Sequence, residues 1–138
     1  MPIKKRNVAG MPLDALQIYA EDLNVVASGV LGDVVDLKGY GFGKGTLVLD
    51  IKVSDDADAD EAYSIVHELS DDDAFTVAVE DFTITLTPGE LGRKLEPINN
   101  QIGDTMYRYS RLRAVISGTS PSLTGTYFLS QSINPDRG

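Results

Sequence analysis

The chain has no cysteine and no tryptophan, a single histidine and few aromatic residues, and each shortage removes a class of function. Without thiols there is no disulfide framework, no thiol nucleophile and no cysteine-ligated zinc. One histidine, His67, excludes any site that needs two imidazoles. No apolar run approaches the roughly 20 residues of a membrane-spanning helix, so no membrane partner is expected. The basic opening Met1-Pro2-Ile3-Lys4-Lys5-Arg6-Asn7 lacks the apolar stretch of a signal peptide. Positive charge is also scarce: 12 Lys and Arg stand against 21 Asp and Glu, for a net charge of −9. Phosphate affinity rests on Lys and Arg, so nucleic acid is not an expected partner either.

What is present is a globular composition, 42% hydrophobic and 24% charged over 138 residues. A chain of this length suits one domain and buries roughly two-thirds of its unfolded surface. The charge is unevenly spread. Residues 1–53 carry six acids and six bases, residues 54–81 carry 11 acids and no Lys or Arg, and residues 82–138 carry four acids and six bases. Nearly all the excess therefore lies in one central stretch, a polarity suited to an oriented encounter with another surface.

Alternation dominates the pattern. In Thr46-Leu47-Val48-Leu49-Asp50-Ile51-Lys52-Val53 the odd positions are all apolar, which places Leu47, Leu49, Ile51 and Val53 on one face of a strand. The same period sets Tyr63, Ile65, His67 and Leu69 together, then Phe75, Val77 and Val79, then Phe82, Ile84 and Leu86 opposite Thr83, Thr85 and Thr87. Met106 to Ser117 reads as a longer strand with Leu112, Ala114 and Ile116 inward and Arg111 and Arg113 outward, and Leu123 to Gln131 as the last. Turn signals separate these runs at Asp55-Asp56, Asp71-Asp72-Asp73, Pro88-Gly89-Glu90, Gly103-Asp104 and Gly118 to Ser122. Only Pro12 to Leu23 competes as a helix, and its Ile18-Tyr19 pair fits an extended segment equally well. The pattern predicts an all-β, single-domain antiparallel β-sandwich over residues 13–138, preceded by a basic arm at residues 1–12.

Few motifs carry chemistry. The stretch Gly39-Tyr40-Gly41-Phe42-Gly43-Lys44-Gly45 invites comparison with a phosphate cradle. Lys44 and Thr46 occupy the third-glycine positions of a dinucleotide fingerprint, and a P-loop ending on Lys44 would need Gly at 38 and Ser or Thr at 45. A flexible bend is the simpler reading, with Tyr40 and Phe42 as the candidate contacts on it. The carboxylates Asp56, Asp58 and Asp60 alternate as in a calcium loop, but the central glycine is absent and the twelfth position from Asp55 is Val66. They are weak metal candidates in what reads as a solvated acidic loop, and no cofactor is expected. His67 reads as a partly buried strand histidine. No nucleophile-elbow pattern accompanies it, so no catalytic residue is predicted. Tyr107-Arg108-Tyr109-Ser110-Arg111-Leu112-Arg113 is the most basic and aromatic segment, an exposed strand face whose arginines pair with an acidic strand or a neighbouring subunit.

Taken in order, several segments resemble the short capsid cement (decoration) proteins of tailed bacteriophages. They are Leu13-Asp14-Ala15-Leu16, Asp33 to Gly39, the glycine-rich bend, Thr46 to Val53, the acidic turn Leu69-Ser70-Asp71-Asp72-Asp73-Ala74-Phe75, the Arg/Tyr strand Tyr107 to Val115, and Tyr127-Phe128-Leu129. The likeness spans residues 13–131; the basic extension and the loop Asp55 to Glu61 depart from it.

The resemblance implies a jelly-roll-like sandwich without enzymatic activity, on the outer surface of the virion capsid, clamping subunits of the major capsid protein. It also implies a homo-oligomer, with a trimer favoured over a dimer. The contact candidates toward the capsid or a sister subunit are Lys4, Lys5, Arg6, Tyr40, Phe42, Arg108, Arg111 and Arg113. A carbohydrate- or ligand-binding β-sandwich module, with Tyr40, Phe42 and Tyr107 as stacking residues, is the alternative, beside another head or tail component.

Overall fold

The computed structural model describes residues 17–37, 45–98 and 100–131. The expected arm at residues 1–12, with Lys4, Lys5 and Arg6, lies outside them, as do Tyr40 and Phe42. The described chain is a succession of strands: β1 (Ile18–Val25), β2 (Gly29–Val30), β3 (Val35–Asp36), β4 (Gly45–Ser54), β5 (Ala62–Ser70), β6 (Val79–Leu86), β7 (Gly92–Ile98), β8 (Gln101–Ile102), β9 (Thr105–Met106), β10 (Tyr109–Ser117) and β11 (Leu123–Gln131). One sheet has the order β1-β11-β4-β7 and a second the order β2-β10-β5-β6, with β3 also on β10; β8 and β9 form a small hairpin. Every pairing is antiparallel.

The period-2 pattern explains why the sheets stack. Leu47, Leu49, Ile51, Leu123, Tyr127 and Leu129 from the first sheet share one buried core with Tyr63, Ile65, Leu69, Ile84, Leu86, Leu112 and Ala114 from the second. Each Leu or Ile sealed there contributes about 1.5–3 kcal/mol over leaving it in water. The result is an all-β sandwich. The stretch weighed as a helix is extended from Ile18 onward, because Tyr19 inserts its ring between the sheets.

Besides two register shifts between β1 and β11, one bulge in β4 and one in β6 break the pattern. Thr124 and Gly125 of β11 pair with Val53 and Ile51, so Lys52 is an extra residue in β4. Beyond it the faces exchange: Val53, expected inside, is 43% exposed, and Ser54 turns inward to donate to the Glu90 carbonyl at 2.8 Å. In β6, Phe82 pairs with His67 and Glu80 with Glu68, so Asp81 is the extra residue.

The strand expected through Phe75, Val77 and Val79 is mostly loop. β6 begins only at Val79, Val77 is exposed, and Phe75 takes a left-handed φ of 52° that folds its ring down to burial. β7 was not foreseen: Gly92-Arg93-Lys94-Leu95-Glu96-Pro97-Ile98 has no clean alternation, and its proline is tolerated because β7 is an edge strand pairing only with β4.

Candidate functional sites: an arginine–glutamate ladder and a sealed serine–histidine–aspartate relay

The basic strand β10 lies beside the acid-rich strand β5, with Arg111 directly opposite Glu68. Period 2 turns Arg111 and Arg113 outward on either side of Leu112, and Glu68 sits between them. Arg111 Nε donates to Glu68 Oε1 at 2.8 Å and Arg113 Nε to Oε2 at 2.9 Å, while Arg113 Nη2 reaches Glu80 at 3.1 Å. The Arg111 guanidinium also lies 4.4 Å from the centre of the Phe75 ring, which makes Phe75 the lid of this row. Burial raises the Glu68 pKa, but the hydrogen bonds and charges of Arg111 and Arg113 outweigh it and hold the carboxyl below its ordinary value. Arg108 grips Asp36 with two parallel bonds of 2.9 Å. Arg108, Arg111 and Arg113, the predicted contact arginines among the described residues, are thus held by carboxylates of their own chain. A partner meeting this face finds oriented, partly neutralised charge.

One end of the sandwich is acidic. The β4–β5 loop is exposed, yet it is tied down. Asp55 Oδ1 accepts from the Ala57 amide at 2.8 Å, and Asp60 accepts from both the amide and hydroxyl of Thr119, at 2.9 and 2.7 Å. Those Thr119 bonds hold the Asp60 carboxyl below its usual range. Glu61 is buried and accepts from the Asp58 amide at 3.0 Å. Desolvation, followed by the charges of Glu61, Asp60 and Asp55, pushes the Asp58 carboxyl up. Among the described residues no three His, Asp or Glu side chains gather closely enough to hold a metal ion, so Asp56, Asp58 and Asp60 form no cage.

A polar chain that sequence reasoning missed lies in the core. His67, expected to be partly buried, is wholly buried on the inner face of β5. Its Nδ1 stands 2.9 Å from Asp81 Oδ2, its Nε2 stands 2.7 Å from Ser110 Oγ, and Ser110 Oγ stands 2.5 Å from Tyr19 Oη of the opposite sheet. The carboxylate at Nδ1 fixes the neutral tautomer: Nδ1–H donates to Asp81, Nε2 accepts from Ser110, and Ser110 accepts from Tyr19. Asp81 can reach the ring because of the bulge in β6, which puts both Asp81 and Phe82 on the histidine side; the Phe82 ring packs 5.2 Å from the imidazole. Asp81 is the solvent-facing end of the chain, with its side chain 22% exposed.

The connectivity Ser110–His67–Asp81 is that of a hydrolytic triad. The access is not: Ser110 and His67 are both 0% exposed, and the Tyr19 hydroxyl occupies the serine oxygen. No acyl group reaches Ser110 in this conformation, and the relay works as a clasp between sheets. The signal for it was a lone polar residue on each of several inward strand faces, but Ser110 and Tyr19 lie 43 and 91 residues from their partners, beyond any local motif. The sequence matches no protein-family model and no curated protein.

Proposed function

We propose that the chain is a non-enzymatic virion component that binds the outside of a phage capsid and stabilises contacts between major capsid protein subunits. The observation that carries this reading is the winding of the strands. Each four-stranded path alternates early and late strands, β1-β11-β4-β7 in one sheet and β2-β10-β5-β6 in the other, as when one long antiparallel ribbon is rolled upon itself. That order supports the jelly-roll-like arrangement which the sequence resemblance implies, an architecture recurrent among capsid proteins. Fold alone does not give function. The resemblance adds the rest, since its later segments fall on β4, the β5–β6 turn, β10 and β11, the strands that build the centre of both sheets and the ladder.

The surface chemistry suits a docking role. Arg108, Arg111 and Arg113 lie on one face in fixed orientations, and the acidic loop Asp55 to Glu61 lies at the β4–β5 end. Many copies each bound weakly to one shell gain strength through multivalency and stabilise the assembled state by mass action. A dimer or a trimer of the chain would each suit closed symmetry on the shell, and the trimer is the form proposed. The test is co-sedimentation of the purified protein with expanded heads of the virus that encodes it, with stoichiometry read by densitometry. Saturation at a copy number comparable to the major capsid protein supports the reading; no binding, or only a few copies per head, overturns it.

A further inference from the structure

Among the acids from Asp55 to Glu61, Glu61 is the one that the fold has taken out of water. Alternation with Tyr63 and Ile65 turns it inward at the end of the sandwich, and it is 5% exposed. Its Oε2 accepts from the Asp58 amide, but its Oε1 is buried and meets no hydrogen-bond donor. A sealed carboxylate oxygen is costly unless a positive charge compensates it. No side chain supplies that charge. Residues 54–81 contain no Lys or Arg, and among the described residues no salt bridge reaches any of Asp55 to Glu61. What faces Glu61 is a second acid: the Asp58 carboxyl lies within hydrogen-bonding reach of its own. Two carboxylates held that close repel, and a positive charge shared between them turns the repulsion into attraction.

We propose that Asp58 and Glu61 share a divalent cation of the calcium type, with Glu61 Oε1 as the buried ligand and Asp58 as the exposed one. The neighbouring acids are engaged elsewhere. Both Asp60 oxygens accept from Thr119, Asp55 Oδ1 accepts from the Ala57 amide, and Asp56 lies against Gly89. The site is therefore a pair of carboxylates rather than a cage of three side chains, and water completes the coordination. Calcium accepts such an irregular oxygen set, whereas magnesium demands a near-octahedral one. The backbone beneath the pair is held in place by the protein itself. Gly118, with a φ of +111°, rests so closely on it that a Cβ there would fall 2.6 Å from the Asp60 carbonyl oxygen and the Glu61 Cα. With only two carboxylates, the affinity belongs to the weak calcium class, with a Kd of about 10⁻⁴ to 10⁻³ M. The bound ion pins the exposed loop to the residue that leads into β5. The site does not rest on the capsid reading and stands if that reading fails.

The experiment is a calcium titration of the full chain at pH 7 and constant ionic strength, followed by calorimetry and by thermal unfolding. The expected result is one ion per chain and a melting temperature raised by about 4–8 °C at 10 mM calcium. Magnesium at the same concentration should give less than half of that shift. Glu61→Gln keeps the shape of the side chain and should abolish the shift, as should Asp58→Asn. Asp71→Asn makes the same change of charge at the opposite end of β5 and should retain it. No calcium binding overturns the proposal, and so does an equal shift with magnesium. An adventitious ion only, seen as several weak sites whose effect survives Glu61→Gln or falls equally in Asp71→Asn, overturns it as well. Should Glu61→Gln fail to fold, Asp58→Asn decides the matter, because the Asp58 side chain is exposed.

Discussion

Arg111 and Glu68 stand directly opposite one another across the β5–β10 ladder, and their side chains close that registration with a 2.8 Å bond. Arg113 claims the other oxygen of the same carboxylate. One acid from the central excess of negative charge thereby collects two bases from the C-terminal part of the chain. The charge asymmetry read along the sequence is partly annulled in space, at the strand pair that forms the middle of the second sheet.

Replacing Glu68 by Gln should therefore cost about 1–3 kcal/mol at neutral pH, because two arginines lose a buried acceptor. The dependence on pH has a definite sign. The folded carboxyl titrates below its ordinary value, so its contribution is present above the unfolded glutamate pKa of about 4.3 and is lost as pH falls through the lower folded value. Thermal unfolding of parent and variant should show a wide gap at pH 7 that narrows below pH about 4. A gap that stays constant to low pH would contradict the ladder.

Ser110→Ala should leave both the Tyr19 hydroxyl and His67 Nε2 buried without partners, at a cost of about 1–3 kcal/mol. Adding Tyr19→Phe to that background removes one of the stranded groups and should recover part of the loss. Denaturant midpoints of the single and double variants provide the comparison.

Gly32 and Gly29 make a matched pair near the same strand. Gly32 has a φ of +74°, and a Cβ there would overlap the Tyr19 carbonyl and the Ala20 side chain, whereas a Cβ at Gly29 meets nothing within 4 Å. Gly32→Ala should cost at least about 1–3 kcal/mol, with Gly29→Ala neutral to slightly stabilising. Equal melting temperatures for the two would refute the packing of Gly32 on β1.

Deleting Met1 to Asn7 removes Lys4, Lys5 and Arg6 and should weaken binding to capsid shells while leaving the melting temperature unchanged. A sedimentation titration beside a thermal scan separates these effects; undiminished binding would exclude the basic segment from the contact.

The parts of the fold that were legible in the sequence are those where a strand keeps its period. Leu47, Leu49 and Ile51, and likewise Leu123, Tyr127 and Leu129, face inward as alternation demands, because a half-buried strand leaves no other way to hide them. Legibility ended at the bulges. One added residue at Lys52 put Val53 in water, and one added at Asp81 aimed a carboxylate at a histidine. Neither carries a local sequence mark, because a bulge is a property of two paired strands and the pairing is long-range. Phe75 was misread for a similar reason: its apolar neighbours mimic a strand, yet its ring is wanted as a cover for Arg111 from a loop. Arg111 and Arg113 were foreseen as outward-facing, but their partners followed only from the β5–β10 register.

The kink at Asp81 has a consequence for crowding. β6 is the outermost strand of its sheet, eight residues long, with no lysine or proline to discourage a stranger from adding itself alongside. An unbroken edge of that kind is a template for fibrous aggregation. The extra residue interrupts the regular spacing of its outward amides and carbonyls and twists the strand, so a foreign strand cannot zip along its full length. The distortion that completes the histidine clasp also lets neighbouring copies crowd together without fusing into a common sheet.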